Sequence, residues 1–253
     1  MTDLLPGAIP PPPGPIDGGT LSFEDVSAGY GQGLVIDGVT FDVHRGEVTC
    51  LLGRNGVGKS TLLRTAMGLL PVTRGRIRVG GADLTGVPTH RRARAGIGYV
   101  PQGRGIFPRL TVRENLLMGL EGERTSAAGT RARIDEVCDR FPVLSLMSGR
   151  MAGALSGGQQ QQLAIGRALM RGPSVLILDE PTEGIQPSVI DEIETFICEV
   201  RDAGSMAVLL VEQFLEFAIA VADRCVVMEK GHVIARGTPD EIGASVLRES
   251  LSV

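Results

Sequence analysis

Residues 47–60 read EVTCLLGRNGVGKS. The first part, EVTCLL, has the character of a short buried strand. The rest, GRNGVGKS at 53–60, fits the pattern G-x-x-x-x-G-K-[ST] over its full length. Gly53, Gly56 and Gly58 let the backbone turn tightly, so the N–H groups of the loop, including those of Arg54, Asn55 and Val57, point inward at phosphate oxygens. Residues 60–70 then carry Leu62, Leu63, Ala66, Met67 and Leu70 at helical spacing. A helix beginning near Lys59 aims its N-terminus at the same anion. Lys59 is placed to reach the β- and γ-phosphates of a nucleoside triphosphate, Ser60 to offer its hydroxyl to Mg²⁺, and Thr61 to bond a phosphate. A chance glycine turn is the alternative in a chain with 35 glycines, but the strand before the loop and the helix after it argue against that.

The bulk numbers set the frame. The chain has 253 residues, of which 43% are hydrophobic, enough for one sizeable α/β domain. A net charge of -4, an aromatic content of 4% and the lack of Trp give no footprint for nucleic acid. Lysine occurs only at Lys59 and Lys230, so a compact point charge stands where the phosphate loop needs one. The cysteines, at 50, 138, 198 and 225, have no metal-ligand spacing and read as small hydrophobes in a reducing compartment. No basic segment followed by an apolar core opens the chain. The apolar runs MAVLLV (206–211) and FAIAVA (217–222) fall short of the roughly 18 residues that span a bilayer. Any work at a membrane is then expected to go through another subunit.

Organisation follows from composition and periodicity. Residues 1–19, with six prolines, read as a flexible or polyproline tail. LSFEDVSAGY and LVIDGVTFDV alternate apolar and polar residues and predict two antiparallel strands. RIRV (76–79), IGYV (97–100), VLILD (175–179) and MAVLLV (206–211) read as further strands, with a helix over 187–202 and a final strand pair in RCVVME and HVIARG. Residues 103–165 are helical in pattern, with a loop at 119–130 and a break at Phe141–Pro142. The expected domain, 20–253, is therefore a nucleotide-binding core (20–102 and 166–253) with a helical subdomain inserted at 103–165. Strands alternating with helices predict a mainly parallel sheet.

A phosphate loop needs a carboxylate for its metal, at the carboxyl end of a neighbouring strand. VLILDE supplies Asp179 for Mg²⁺ and Glu180 to polarise an attacking water. Gln102, in YVPQ, is placed to touch the metal or the γ-phosphate, and Tyr30 to stack on a base. Residues 155–162, LSGGQQQQ, carry a capping box in Ser156 and Gln159. Gly157 and Gly158 are poor helix formers in the first turn, and a phosphate approaching the bare N–H groups would explain them. One chain then holds two sets of phosphate donors. A head-to-tail pair of subunits would use both on one nucleotide, and glutamines 160–162 would mostly be polar surface.

GRNGVGKST, YVPQ, LSGGQ and LILDEP, in that order, resemble the ATP-binding subunit of ABC transporters over about residues 20–240. The resemblance implies a P-loop NTPase (RecA-like) α/β fold with a mainly parallel sheet core, an antiparallel β subdomain and a helical subdomain. It implies ATP and Mg²⁺ as cofactors, with ATP sandwiched between the phosphate loop of one subunit and the signature helix of another, identical or different. It also implies permease subunits docked on the helical subdomain, an extracytoplasmic solute-binding protein acting indirectly, and a place on the cytoplasmic face of the membrane. Gln213 stands where the family usually has a histidine, and Gln186 where it has an aspartate. An amide can bond a phosphate but carries no proton, so Gln213 enters the catalytic set in an altered role. EPTEGIQPS, GRGIFPRLTV and LVEQ resemble one ATPase subunit of urea and branched-chain amino acid importers. FPVL, SGGQQQQLAI and EGIQPS lean to the urea branch. Import of urea is therefore expected, with branched-chain amino acid import as the alternative. A soluble ABC protein without a transport role and a non-hydrolysing regulatory module are alternatives of another class.

Overall fold

The computed structural model describes residues 20–31, 33–243 and 247–248. The proline-rich stretch 1–19 lies outside the described residues.

Strands β1 (Leu21–Tyr30) and β2 (Gly33–Val43) pair antiparallel, with Leu21 opposite Val43 and Phe23 opposite Phe41. The alternation seen in sequence buries Leu21, Phe23 and Val26 against Ile36, Val39 and Phe41. The next elements are β3 (Val48–Leu52), α1 (Lys59–Ala66), β4 (Arg74–Val79), β5 (Ala82–Asp83), α2 (Thr89–Arg94) and β6 (Ile97–Val100). Helices α3 (Val112–Met118), α4 (Ala127–Arg140), α5 (Pro142–Leu146) and α6 (Gly157–Leu169) come next. The chain then runs through β7 (Val175–Asp179), α7 (Pro187–Asp202), β8 (Ala207–Val211), α8 (Leu215–Val221), β9 (Arg224–Glu229), β10 (His232–Gly237) and α9 (Pro239–Ile242).

Two sheets result. One is antiparallel, in the order β2-β1-β4-β5, and the other has six strands in the order β10-β9-β3-β8-β7-β6. The second is parallel except for the β9–β10 pair. Every residue of β3, β7 and β8 is buried, as expected of strands covered on both faces. Their side chains alternate between two cores. Cys50, Leu52, Leu176, Leu178, Val208 and Leu210 face the helices α6 and α7. Leu51, Val175, Ile177, Leu209 and Val211 face α1 and the antiparallel sheet. Cys50 and Cys225 are buried, and all four cysteines are free thiols.

Several boundaries move. Helix α1 stops at Ala66 although the apolar stripe runs to Leu70, because Gly68 turns left-handed (φ 69°) and Leu69 N–H closes back on the Arg64 carbonyl at 2.8 Å. Helix α4 begins inside the expected 119–130 loop, since Ser126 accepts from Gly129 N–H as its N-cap. The break at Phe141 and Pro142 is where expected, with proline opening α5. The boundary drawn after residue 165 falls inside α6, which runs unbroken to Leu169.

Candidate nucleotide site

The loops after β3, β6, β7 and β8 meet at the carboxyl edge of the parallel sheet. They enclose a cleft of 760 Å³, lined by Lys59, Ser60, Thr61, Gln102, Glu180 and Gln213, among others.

The glycine loop is shaped by its packing. Gly53 (φ 153°) and Gly58 (φ 114°) have no room for a side chain. A Cβ would lie 2.6 Å from the Met228 carbonyl at the first and 2.7 Å from Ile36 Cγ2 at the second. Gly56, at φ 80°, faces open space and lines the cleft with Asn55. Val57 is tucked into the core and its carbonyl accepts from Gly231 N–H at 2.9 Å. Arg54 is exposed, and its carbonyl and that of Gly53 accept from Lys59 Nζ. Helix α1 starts without a side-chain cap and without an acid in its first turn, so its N–H groups are open to an anion. Burial lowers the pKa of Lys59, while Glu180 and Asp179 oppose that shift.

Asp179 sits behind the cleft, 5% exposed. Its Oδ2 accepts from the Tyr99 hydroxyl at 3.3 Å, and it also accepts from the Gln102 backbone N–H. Burial, then the neighbouring charge of Glu180, pushes its pKa up to about 6. Burial and the Asp179 charge raise the pKa of Tyr99.

Glu180 has a left-handed backbone (φ 50°), fixed by its N–H donating to the Val211 carbonyl at 2.8 Å. That turn delivers its carboxylate between two amides. Gln213 Nε2 donates to Oε1, and Gln102 Nε2 donates to Oε2 at 3.1 Å. Gln102 Nε2 also reaches Glu183 Oε2 at 3.1 Å.

Glu212 is missed by the sequence reading. It is 2% exposed and accepts from Thr182 and from the backbone N–H groups of Gln213 and Phe214. The signal was present: an acid follows a buried apolar strand in LVEQ, as it does in LILDE. Tyr99, beside Asp179, carries no comparable sequence signal.

Ser156, Gly157, Gly158, Gln159 and Tyr30 do not line this cleft. Tyr30 is half exposed at the end of β1, its hydroxyl accepting from Arg64 Nη1 at 3.2 Å. The capping box is formed, with Gln159 N–H to Ser156 Oγ at 3.3 Å and Ser156 N–H to Gln159 Oε1 at 3.0 Å. Gly158 also has a packing reason within the chain, since a Cβ there would lie 2.7 Å from Val189 Cγ2; one on Gly157 would meet only the guanidinium end of Arg104, at 3.0 Å from Nη2. One expectation about this segment is corrected. The glutamines are not mostly surface, because Gln161 and Gln162 are buried and Gln162 Nε2 bonds Glu192.

Among the described residues no cluster of three or more His, Cys, Asp or Glu is arranged to hold a metal by itself. The donor set still suits a magnesium ion. Asp179 and Glu180 crowd negative charge at one strand end, and Ser60 and Gln102 face the same cleft. Mg²⁺ takes hard oxygen ligands, usually one or two carboxylates with substrate phosphates and water.

Comparison with known proteins places this geometry. Residues 36–183 match the ABC transporter family profile. The chain is 43% identical over 227 residues to the high-affinity branched-chain amino acid transport ATP-binding protein BraG of Pseudomonas aeruginosa, covering 90% of this chain and 94% of that one. It is 37% identical over 217 residues to the probable branched-chain amino acid transport ATP-binding protein LivF of Archaeoglobus fulgidus, covering 86% and 91%. It is 36% identical over 224 residues to the lipopolysaccharide export system ATP-binding protein LptB of Escherichia coli, covering 88% and 92%. A crystal structure of a nucleotide-free ATP-binding cassette from an ABC transporter superposes with a TM-score of 0.79 at 29% identity, covering 93% of this chain and 96% of that one. The chain belongs to the ABC transporter family, as one of its ATP-binding subunits.

Proposed function

We propose that this ATPase subunit powers import of a small solute, with Glu180 as the base that activates water. The observation that carries this reading is the Glu180 carboxylate, held by the amides of Gln102 and Gln213 at the cleft that Lys59, Ser60 and Thr61 line.

The triphosphate of ATP is received by the loop N–H groups of 53–61 and by Lys59, which exchanges carbonyl partners for phosphate oxygens. Ser60, Gln102 and Asp179 would hold Mg²⁺, which neutralises charge on the phosphate oxygens when bound. Glu180 takes a proton from water as the water oxygen bonds the γ-phosphorus. The bond from phosphorus to the ADP oxygen breaks, and its electron pair leaves with ADP. Neither amide can accept that proton, so Gln102 and Gln213 orient the carboxylate.

Ser156, Gly157, Gly158 and Gln159 lie outside their own cleft, which supports their use in a facing ATPase subunit, identical or different. Leu146, at 82% exposed, and Met151, at 53%, give the helical subdomain (103–165) an apolar surface on which a permease subunit docks. Among the described residues no helix is long and apolar enough to cross a membrane. The likeness to ATP-binding subunits of transporters supports a site of action on the cytoplasmic face, with a solute-binding protein on the other side.

The likeness to BraG and LivF supports branched-chain amino acids as the solute. Urea is the second reading, carried by EGIQPS and SGGQQQQLAI in the sequence. The test of the shared site is Glu180→Gln in the full chain with Mg²⁺-ATP, measured by light scattering and phosphate release. Loss of release with an ATP-dependent dimer, abolished by Ser156→Arg, supports the reading; wild-type release by Glu180→Gln rejects it. ATPase stimulation of the reconstituted complex by leucine or by urea separates the two solutes.

A further inference from the structure

The loops that carry Glu180 and Gln213 leave neighbouring parallel strands, with Asp179 opposite Val211 at the last register position. Beyond that pair one backbone bond, Glu180 N–H to the Val211 carbonyl, holds the start of the first loop, and it does not set the course of the chain after Val211. Yet the Gln213 amide meets one oxygen of Glu180.

Glu212 bridges the two loops. Its Oε1 accepts from Thr182 N–H at 3.1 Å and from Thr182 Oγ1 at 2.8 Å, which fixes the turn after β7. Its Oε2 accepts from the N–H groups of Gln213 at 3.0 Å and Phe214 at 3.2 Å, which fixes the chain after β8. Each oxygen of one buried carboxylate is thus committed to a different loop. The residue type is specific. Four donors converge on two oxygens, so the group there must be acceptor only at both ends. A glutamine in its place would turn an NH₂ group toward N–H donors at one end. An aliphatic residue would leave the two buried Thr182 donors without a partner, which costs more than losing the bonds, and would free the Gln213 and Phe214 N–H groups from the turn. A buried carboxylate is expensive to keep, and this one is retained beside the reacting centre.

We infer that Glu212 is a positioning residue for hydrolysis: it locks the 180–183 turn to the 213–214 segment and so sets the Gln213-to-Glu180 contact. This rests on the reading of Glu180 as the base. Glu212 lines the same cleft as Lys59 and adds to the negative field on it, but its hydrogen bonds go to Thr182, Gln213 and Phe214 and none to residues 53–61.

The test uses the full-length chain with Mg²⁺-ATP, comparing Glu212→Gln, Gln213→Ala, the double variant and Thr182→Val. Glu212→Gln is expected to lower kcat about 10–100-fold with KM for ATP and binding of a fluorescent ATP analogue within about twofold of wild type. Gln213→Ala in the Glu212→Gln background is expected to add little, because the contact it removes is already misaligned. Thr182→Val removes one donor and leaves the carboxylate, so a smaller fall in kcat is expected. It keeps the proposal testable if Glu212→Gln fails to fold. Wild-type kcat in both Glu212→Gln and Thr182→Val overturns the proposal. So does a loss that appears wholly in KM, or a double variant whose losses multiply. Glu180→Gln, assayed beside them, separates the two levels: wild-type turnover there rejects the parent reading whatever Glu212 does.

Discussion

Gly158, in the first turn of α6, packs directly against Val189 in the first turn of α7, so closely that a Cβ at 158 would lie 2.7 Å from the valine Cγ2. The absent side chain is required by a neighbour in the same subunit. Gly158→Ala is expected to destabilise the fold by about 1–3 kcal/mol through overpacking. Val189→Ala in the same chain should restore most of it. Gly157→Ala meets only the movable end of Arg104 and should change stability little. Urea unfolding of these proteins and of Val189→Ala alone measures this, and additive effects of the 158 and 189 changes would contradict it.

Asp179 makes the nucleotide-free protein sensitive to pH. Its folded pKa of about 6 lies above the value of 3.8 normal for aspartate, so the folded state holds that proton more tightly. The stability penalty is absent below about pH 4, grows as pH rises, and is complete above about pH 6. Asp179→Asn should therefore stabilise the nucleotide-free protein at pH 7.5 by on the order of 2–3 kcal/mol, and the gain should vanish near pH 4. Denaturant melts at the two pH values measure it.

Arg92 is buried, and its guanidinium donates to the carbonyls of Val87, Thr65, Ala66 and Thr85 at 2.7–2.8 Å. Two of those carbonyls end α1, the helix that begins at the phosphate loop. Arg92→Leu should cost about 3 kcal/mol or more, since four carbonyls around the buried guanidinium lose their side-chain donor. Arg92→Lys should recover part of this, because an ammonium has three donors but no planar fork. Thermal melts of both variants check the order.

Gly58 and Gly56 separate strain from collision. Both are left-handed, but only a Cβ at 58 meets atoms, at 2.7 Å from Ile36 Cγ2 and 3.3 Å from the Val35 carbonyl. Gly58→Ala should push the loop off β2 and weaken ATP binding by about tenfold or more. Gly56→Ala should cost only about 1 kcal/mol of backbone strain. Titration calorimetry with ATP distinguishes them, and equal losses would show that conformation alone decides.

The phosphate loop was legible because its chemistry is local: a strand, three glycines and a helix start follow one another in fourteen residues, 47–60. Strand β7 with Asp179 and Glu180, strand β8, and the antiparallel pair β1–β2 were legible for the same reason. The acid at Glu212 was visible at the end of an apolar run, but its bridging role was not, since Thr182 is 30 residues away and only the strand register brings the two together. Gln161 and Gln162 were misjudged because polarity predicts exposure only when one face of a helix is free. Helix α6 is enclosed, with Leu163, Ala164 and Ile165 all buried. At Gly158 the sequence suggests a ligand's requirement, and only the packing against Val189 shows an internal one beside it.

The parallel sheet divides the interior into two cores, with Leu62 and Leu63 of α1 in one and Leu163 and Ile165 of α6 in the other. Alternate residues of the same strand belong to different sides. A volume change on one side can be compensated by neighbours there without disturbing the other. The core under the phosphate loop and the core under α6 can therefore drift separately over evolutionary time, so that one can be remodelled while the other keeps its shape.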